Sequence, residues 1–267
     1  MKHKHMVALA MALMISSANA VVITGVPSYT NYHGCSPTSV GMILGYWDLQ
    51  GYSNLFTASG SDVMLTTNVQ GQISSDDHNL RYDSTPDNTT IPISYTSIAD
   101  YLGTSVDPLG YGASSVATTG AATVAYASSR GYTFTTANKT FSNTWNALVA
   151  EVNAGRPMLL FVDSNGDGTV NHTVTAIGYD TNYNGNGQYY FCYNTGHEDE
   201  AIVDAYKFQS YVGGGKPFGV YGGITVNPGV IPEPNTAMVL IVTAMGLSFI
   251  RHRAVSRTNL KARAFFK

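Results

Sequence analysis

The segment from Tyr32 to Asp48 constrains the fold most, because it places a cysteine, Cys35, directly before a helical pattern. Pro37 suits the first turn of a helix, where a backbone N–H has no partner within the helix. The apolar residues that follow have the i, i+3, i+4, i+7 spacing of a buried helix face: Val40, Ile43, Leu44 and Trp47. Gly41 and Gly45 lie four residues apart, so we expect another element to approach this helix closely.

The position of Cys35 predicts a reactive thiol. A helix N-terminus carries partial positive charge, which favours the thiolate over the thiol. Cys35 is therefore a candidate nucleophile. Two alternatives stay open at this point: a small buried residue, or one half of a disulfide with Cys192, the only other cysteine. An oxidising compartment would favour the disulfide.

Charge is unevenly distributed along the chain. The formal net charge is −3, yet all 17 acidic residues lie between Asp48 and Glu233. Eight of the 14 basic residues lie outside that region, near the two ends. An acidic body argues against a nucleic-acid partner, because phosphate binding needs clusters of lysine and arginine.

The N-terminal residues predict export. A short basic segment, Met1–His5, precedes an apolar run, Met6–Ile15, and the small residues Ala18-Asn19-Ala20 follow. This order is that of a secretory signal peptide. The apolar run is shorter than the roughly 20 residues that span a bilayer. We predict that residues 1–20 form a signal peptide and that the mature chain begins at Val21.

The C-terminal residues 231–267 predict a sorting tail. Pro232-Glu233-Pro234 precedes an apolar run, Thr236–Ile250, and the basic residues Arg251-His252-Arg253. Such a basic flank is expected on the cytoplasmic side of a membrane. The pattern resembles the PEP-CTERM tails of exported proteins of Gram-negative bacteria. That resemblance implies transient anchoring in the inner membrane, recognition by an exosortase, and release or attachment at the cell surface.

Between the two ends, residues 21–230 predict one α+β domain. Besides the cysteine helix, periodicity and stop signals predict three helices: Tyr95–Leu102, Thr119–Arg130 and Ser142–Ala154. Later segments read as strands: Met158–Val162, His172–Tyr179, Tyr189–Tyr193, Ala201–Phe208 and Val220–Val226. Helices followed by strands indicate an antiparallel sheet packed against the cysteine helix. Residues 51–92 show little periodicity, and we predict a surface excursion with at most one short helix.

Three residues in this order could form a catalytic triad. His172 begins one predicted strand, and Asn194 follows the next. Neighbouring strand ends can bring the two side chains together, so that the neutral amide of Asn194 orients the imidazole. Cysteine, then histidine about 130–150 residues later, then asparagine is the papain-like order.

The segments around these residues resemble a known family. Gly34-Cys35-Ser36-Pro37-Thr38-Ser39, with Gly45-Tyr46-Trp47 behind it, is similar to the cysteine motif of papain-fold peptidases related to the bacteriocin double-glycine leader peptidases (C39 type). Asn171-His172-Thr173-Val174 and Gly178-Tyr179-Asp180 are similar to that family's histidine half. The resemblance implies that Cys35 is the nucleophile, His172 the general base and acid, and Asn194 the orienting residue.

The chain departs from the family pattern at two positions. Ser36 replaces the glycine that commonly follows the cysteine. Tyr29 lies six residues before Cys35, where such peptidases usually carry a glutamine that stabilises the oxyanion. Asn31 is the nearest residue with an amide N–H, and we predict that it shares this role with the backbone N–H of Cys35.

Other candidate residues are weaker. His33 is predicted to be a turn residue, and His78 and His197 to be solvated loop residues. Asp163–Gly168 matches the first half of a calcium loop, but position twelve is Val174 instead of glutamate, so a tight turn between strands is predicted. Cys192 is predicted to be a core thiol, and no metal site is predicted.

The sequence thus predicts an exported, papain-like cysteine peptidase that acts on peptides or proteins and needs no cofactor. A non-catalytic binding or matrix protein that keeps the peptidase fold is the alternative, motivated by the missing glutamine. Transfer of the acyl group to an amine is a third possibility.

Overall fold

The structure, a computed structural model, describes residues 20–31, 33–83, 86–106, 112–195 and 202–230. The predicted tail and, except for Ala20, the predicted signal peptide lie outside these residues, so both stay predictions. The chain divides into two units, Met1–Gly229 and Val230–Lys267. In the part that the structure describes, no helix is long and apolar enough to cross a membrane.

The cysteine helix, α1, spans Cys35–Leu49. Gly34 precedes it with a φ of 92°, and a side chain there would lie 2.9 Å from the carbonyl oxygen of Gly112. Glycine is the one residue that both adopts a positive φ readily and leaves room for this carbonyl oxygen, because it has no β-carbon. The other α-helices described are α2 (Thr66–Ile73), α3 (Asp76–Tyr82), α4 (Ile98–Leu102), α5 (Val116–Ser129) and α6 (Phe141–Asn153). Short 3₁₀ helices cover Gly60–Met64 and Tyr183–Gly185.

The strands form one main sheet and a small hairpin. The hairpin pairs β2 (Ser105–Val106) with β3 (Gly112–Ala113). The main sheet contains β1 (Val21–Val22), β4 (Phe134–Thr140), β5 (Met158–Asp163), β6 (His172–Asp180), β7 (Tyr189–Tyr193), β8 (Val203–Lys207) and β9 (Gly219–Pro228). Its order is β4-β9-β5-β6-β7-β8, with β1 paired to β6, and every pair is antiparallel.

Both faces of this sheet are covered. Successive residues of a strand point to opposite faces. Accordingly Leu159 and Phe161 of β5 belong to the apolar core shared with α1, whereas Met158 and Leu160 belong to the core shared with α6. The α+β fold with the cysteine helix packed on an antiparallel sheet is confirmed. The sheet supports α1 on one face and is covered by α6 on the other.

The prediction for residues 51–92 was wrong. This segment forms two helices, α2 and α3, and contributes fully buried side chains to the core beside α1: Leu55, Val63, Val69 and Ile73. Its elements are short, and each supplies only one or two apolar residues between polar ones. Such spacing gives no periodic signal, although packing on α1 buries every one of these side chains.

The predicted close approach to α1 is confirmed at both glycines. A β-carbon at Gly41 would lie 3.0 Å from the side chain of Ile73. A β-carbon at Gly45 would collide with the hydroxyl of Tyr29 and lie 2.9 Å from Pro27. Tyr29 is buried there and donates a hydrogen bond to the carbonyl of Val63 at 2.6 Å, so it cannot move aside cheaply.

We therefore expect Gly45→Ala to lower the free energy of unfolding by about 1–3 kcal/mol, because the added methyl overpacks a rigid contact. Gly71→Ala in α2 is the matched control, since no atom lies within 4 Å of a β-carbon at that position. It should raise stability by about 0.5–1 kcal/mol through helix propensity. Denaturant unfolding measures both, and equal effects would contradict the packing account.

Candidate active site

The structure brings the three predicted triad residues together. His172 begins β6 and Asn194 follows β7, the neighbouring antiparallel strand. The Nε2 atom of His172 lies 2.8 Å from Oδ1 of Asn194. His172 also hydrogen-bonds the side chain of Cys35, and Nδ1 is the ring nitrogen left for that contact. The imidazole thus lies between a thiol and an amide oxygen.

A buried polar contact holds α1 against β6. The hydroxyl groups of Ser36 and Thr173 lie 2.8 Å apart. Ser39 donates to the carbonyl of Thr173 at 3.1 Å, and Thr175 donates to the carbonyl of Ser39 at 3.1 Å. In sequence, Ser36 is only a departure from the family pattern. Its hydroxyl in fact joins the residue after the cysteine to the residue after the histidine.

Electrostatics favour a charged pair at this site. Burial alone would raise the pKa of the Cys35 thiol, but the hydrogen bond and charge of His172, with hydrogen bonds from Thr173, outweigh burial and lower it. Burial likewise opposes charge on His172, but its contacts with Cys35 and Asn194 raise its pKa above the ordinary value. Opposite shifts of the two pKa values favour a thiolate beside an imidazolium.

Asn31 lies on the exposed loop that leads into α1. Its Oδ1 atom is 3.5 Å from the hydroxyl of Thr38, which donates to the carbonyl of Gly34 at 2.9 Å. The amide of Asn31 therefore lies beside the first turn of the helix that begins with Cys35. Tyr29, six residues before Cys35, points into the core.

The two cysteines are not joined. Both are free thiols, so the disulfide alternative was wrong. Cys192 lies on β7, where its side chain is fully buried, and burial together with the charge of Asp204 raises its pKa well above the ordinary value. The prediction of a core thiol is confirmed, and Cys35 is the one partly exposed cysteine.

The prediction for His78 was wrong, since it lies on α3 with 1% of its surface exposed. Its Nδ1 atom is 3.0 Å from the carboxylate of Asp100, and its Nε2 atom is 2.7 Å from the carbonyl oxygen of Thr104. No periodic pattern marks such a residue, because its burial depends on distant partners. His33, in the bend before α1, is also buried, and His197 lies outside the described residues.

The Asp163–Gly168 segment forms the predicted tight turn between β5 and β6. The fully buried carboxylate of Asp163 accepts three backbone N–H groups: those of Gly166 at 2.7 Å, Asp167 at 3.2 Å and Gly168 at 2.6 Å. This carboxylate is therefore occupied by the turn itself. Among the described residues, no group of three or more histidine, cysteine or acidic side chains is placed to hold a metal ion.

A helix that begins with a cysteine, packed on an antiparallel sheet whose strand begins with the partner histidine, defines a papain-like cysteine-peptidase fold. The sequence pattern of the Peptidase_C39 like family matches residues 23–215. The chain belongs to this family, which confirms the predicted relation to C39-type peptidases. No curated protein matches the chain.

We expect Asp163→Asn to lower the free energy of unfolding by about 1–3 kcal/mol, because an amide nitrogen would face a backbone N–H and leave a buried donor unpaired. Asp167→Asn, on the exposed side of the same turn, is the control and should have a smaller effect on stability.

Millimolar calcium or a chelator should leave the melting temperature of the parent protein unchanged. A calcium-dependent rise in that temperature would show that the turn also binds the ion.

Proposed function

We propose that the protein is an exported cysteine peptidase with a catalytic triad of Cys35, His172 and Asn194. The observation that carries the proposal is the position of His172, hydrogen-bonded on one side to the Cys35 thiol and on the other to the Asn194 amide oxygen. A nucleophile, a base and an orienting group in contact are the minimum that this chemistry needs. Peptides are the substrates that the family implies.

In the proposed reaction, the Cys35 thiolate attacks the carbonyl carbon of a peptide bond. The His172 imidazolium then donates its proton to the departing amine as the C–N bond breaks, which leaves an acyl group on the sulfur. Neutral His172 next takes a proton from a water molecule that attacks this thioester. The carboxylic acid leaves, and the thiolate–imidazolium pair forms again.

The tetrahedral intermediate needs donors for its oxyanion. The backbone N–H of Cys35, at the positive end of α1, is the first donor in this proposal. The second is the amide of Asn31, whose place beside the hydroxyl of Thr38 puts it near the same helix turn. Transition-state charge would then be shared by one backbone group and one side-chain group.

Export and sorting complete the proposal. The signal peptide (residues 1–20) would direct the chain out of the cytoplasm, and the tail (residues 231–267) would anchor it briefly in the inner membrane until an exosortase cleaves near Pro234. Both assignments rest on sequence pattern alone. The peptidase would then act at the cell surface or in the medium, without a cofactor.

A second candidate function is a peptide-binding or matrix protein that retains the fold without turnover. One observation favours it: Tyr29 points into the core, at the position where the family carries its oxyanion donor. Transfer of the acyl group to an amine instead of water would use the same triad, and product analysis distinguishes it from hydrolysis.

The triad predicts rapid alkylation of Cys35 at about pH 6, below the ordinary thiol pKa of about 8.5. The rate should rise with pH through the lowered pKa of Cys35, and His172→Ala should remove this low-pH reactivity. Mass spectrometry of the labelled peptide identifies the site. Cys192→Ala is the matched control and should keep the low-pH reactivity of Cys35.

Cys35→Ser should lower cleavage of a peptide library at least about a thousandfold. An unlabelled Cys35 in the reduced, folded protein would favour the binding module.

The oxyanion role predicts that Asn31→Leu lowers kcat about a hundredfold or more, with little change in KM. The substitution keeps the approximate size of the side chain, removes its N–H donors and adds no charge near Cys35. Alkylation of Cys35 at low pH should stay unchanged, because Asn31 is not part of the ion pair. An unchanged kcat would remove Asn31 from the mechanism.

A further inference from the structure

A strained residue lies directly beside the triad. Phe218 has a φ of 59°, in the left-handed region that bulky side chains rarely adopt. Two hydrogen bonds fix this backbone: the Phe218 N–H donates to the carbonyl of Asp163 at 2.6 Å, and the hydroxyl of Tyr190 donates to the carbonyl of Phe218 at 2.9 Å. The fold thus maintains an unfavourable backbone conformation at Phe218.

The strained backbone directs an aromatic ring into the site. The edge-to-face contact between the rings of Phe218 and His172 has a centroid distance of 6.2 Å and an interplanar angle of 84°. On its other side, Phe218 stacks on Tyr206 of β8 at 3.8 Å and 9°. Phe218 therefore fixes the plane of the Tyr206 ring and covers one side of the His172 imidazole.

The hydroxyl of Tyr206 reaches the third member of the triad. It lies 3.4 Å from Nδ2 of Asn194. The carboxylate of Asp204, two residues earlier on β8, accepts a hydrogen bond from the same hydroxyl. Since Nδ2 of Asn194 is the donor in this contact, the oxygen presents a lone pair to Asn194. Burial, and then the charge of Asp204, raise the pKa of Tyr206, so the hydroxyl stays protonated across the working pH range.

This contact matters because an asparagine amide can face either way. Its oxygen accepts hydrogen bonds and its nitrogen donates them, and the two differ by a rotation of the group. Only the orientation with Oδ1 on His172 stabilises an imidazolium. An acceptor on the nitrogen side selects that orientation, whereas a carboxylate in the place of Asn194 would need no such selection.

We propose that Tyr206, held in place by Phe218, is a positioning residue that orients the Asn194 amide and, through it, His172. The inference rests on the proposed triad. It assigns this role to one aromatic residue on β8 and one in the turn directly before β9, both outside the cysteine and histidine motifs. A role in packing alone would change stability but would not change the protonation of the Cys35–His172 pair.

The test is the pH profile of Cys35 alkylation by iodoacetamide in the full-length protein. Tyr206→Phe keeps the stacked ring and removes only the hydroxyl, and we expect a three- to tenfold slower reaction at about pH 6, the range that one hydrogen bond provides. The difference should disappear above the ordinary thiol pKa. Tyr221→Phe, at an exposed position of β9 whose ring contacts Tyr211, is the matched control and should leave the profile unchanged.

A double-mutant cycle separates orientation from packing. Asn194→Asp offers His172 an acceptor in either orientation, so it should accelerate low-pH alkylation more in the Tyr206→Phe background than in the parent. Equal gains in both backgrounds, or an unchanged profile in Tyr206→Phe, would overturn the inference while leaving the triad in place. If the parent protein shows no low-pH reactivity at Cys35, the proposed function itself fails, and that outcome is visible before any Tyr206 variant is compared.

Discussion

The site depends on the contact between the first turn of α1 and the first residues of β6. Hydrophobic burial alone is non-directional and would let a helix rotate or slide on a sheet. The hydroxyl and carbonyl groups of Ser36, Ser39, Thr173 and Thr175 bond to each other in a dry interior, where leaving any of them unpaired is costly. These hydrogen bonds fix the rotation of α1 about its own axis and its position along β6. That arrangement places Cys35 beside His172.

Small residues make this contact possible. Ser36 and Ser39 are the residues of α1 that bond to β6, whereas Gly41 and Gly45 allow the close approach of Ile73 and Tyr29. Apolar side chains would keep the helix axis too far from β6 for the hydroxyl groups to bond. The sheet accepts the helix because α6 and its apolar core cover the opposite face. The precision of the site therefore comes from close backbone approach supported by a sheet that is packed on both sides.

The sequence predicts those parts of the molecule that local pattern determines. Strand β7 is found with the predicted bounds, Tyr189–Tyr193, because its alternation and the antiparallel order of its neighbours agree. The meeting of His172 with Asn194 follows from the same argument. The burial of His78 and the left-handed conformation of Phe218 depend on partners far away in the chain, such as Thr104 and Asp163. No periodicity or spacing records such long-range contacts.

The choice of a neutral amide at position 194 has a physical consequence for the proposed chemistry. A carboxylate in contact with His172 would raise the pKa of the imidazolium further and make it a weaker acid toward the departing amine. An amide oxygen stabilises the imidazolium through a dipole alone, so the proton stays transferable. The charge of Asp204 acts on the hydroxyl of Tyr206, and that hydroxyl contacts the Asn194 amide. The group that orients the imidazole is therefore neutral, which keeps the imidazolium reactive as an acid.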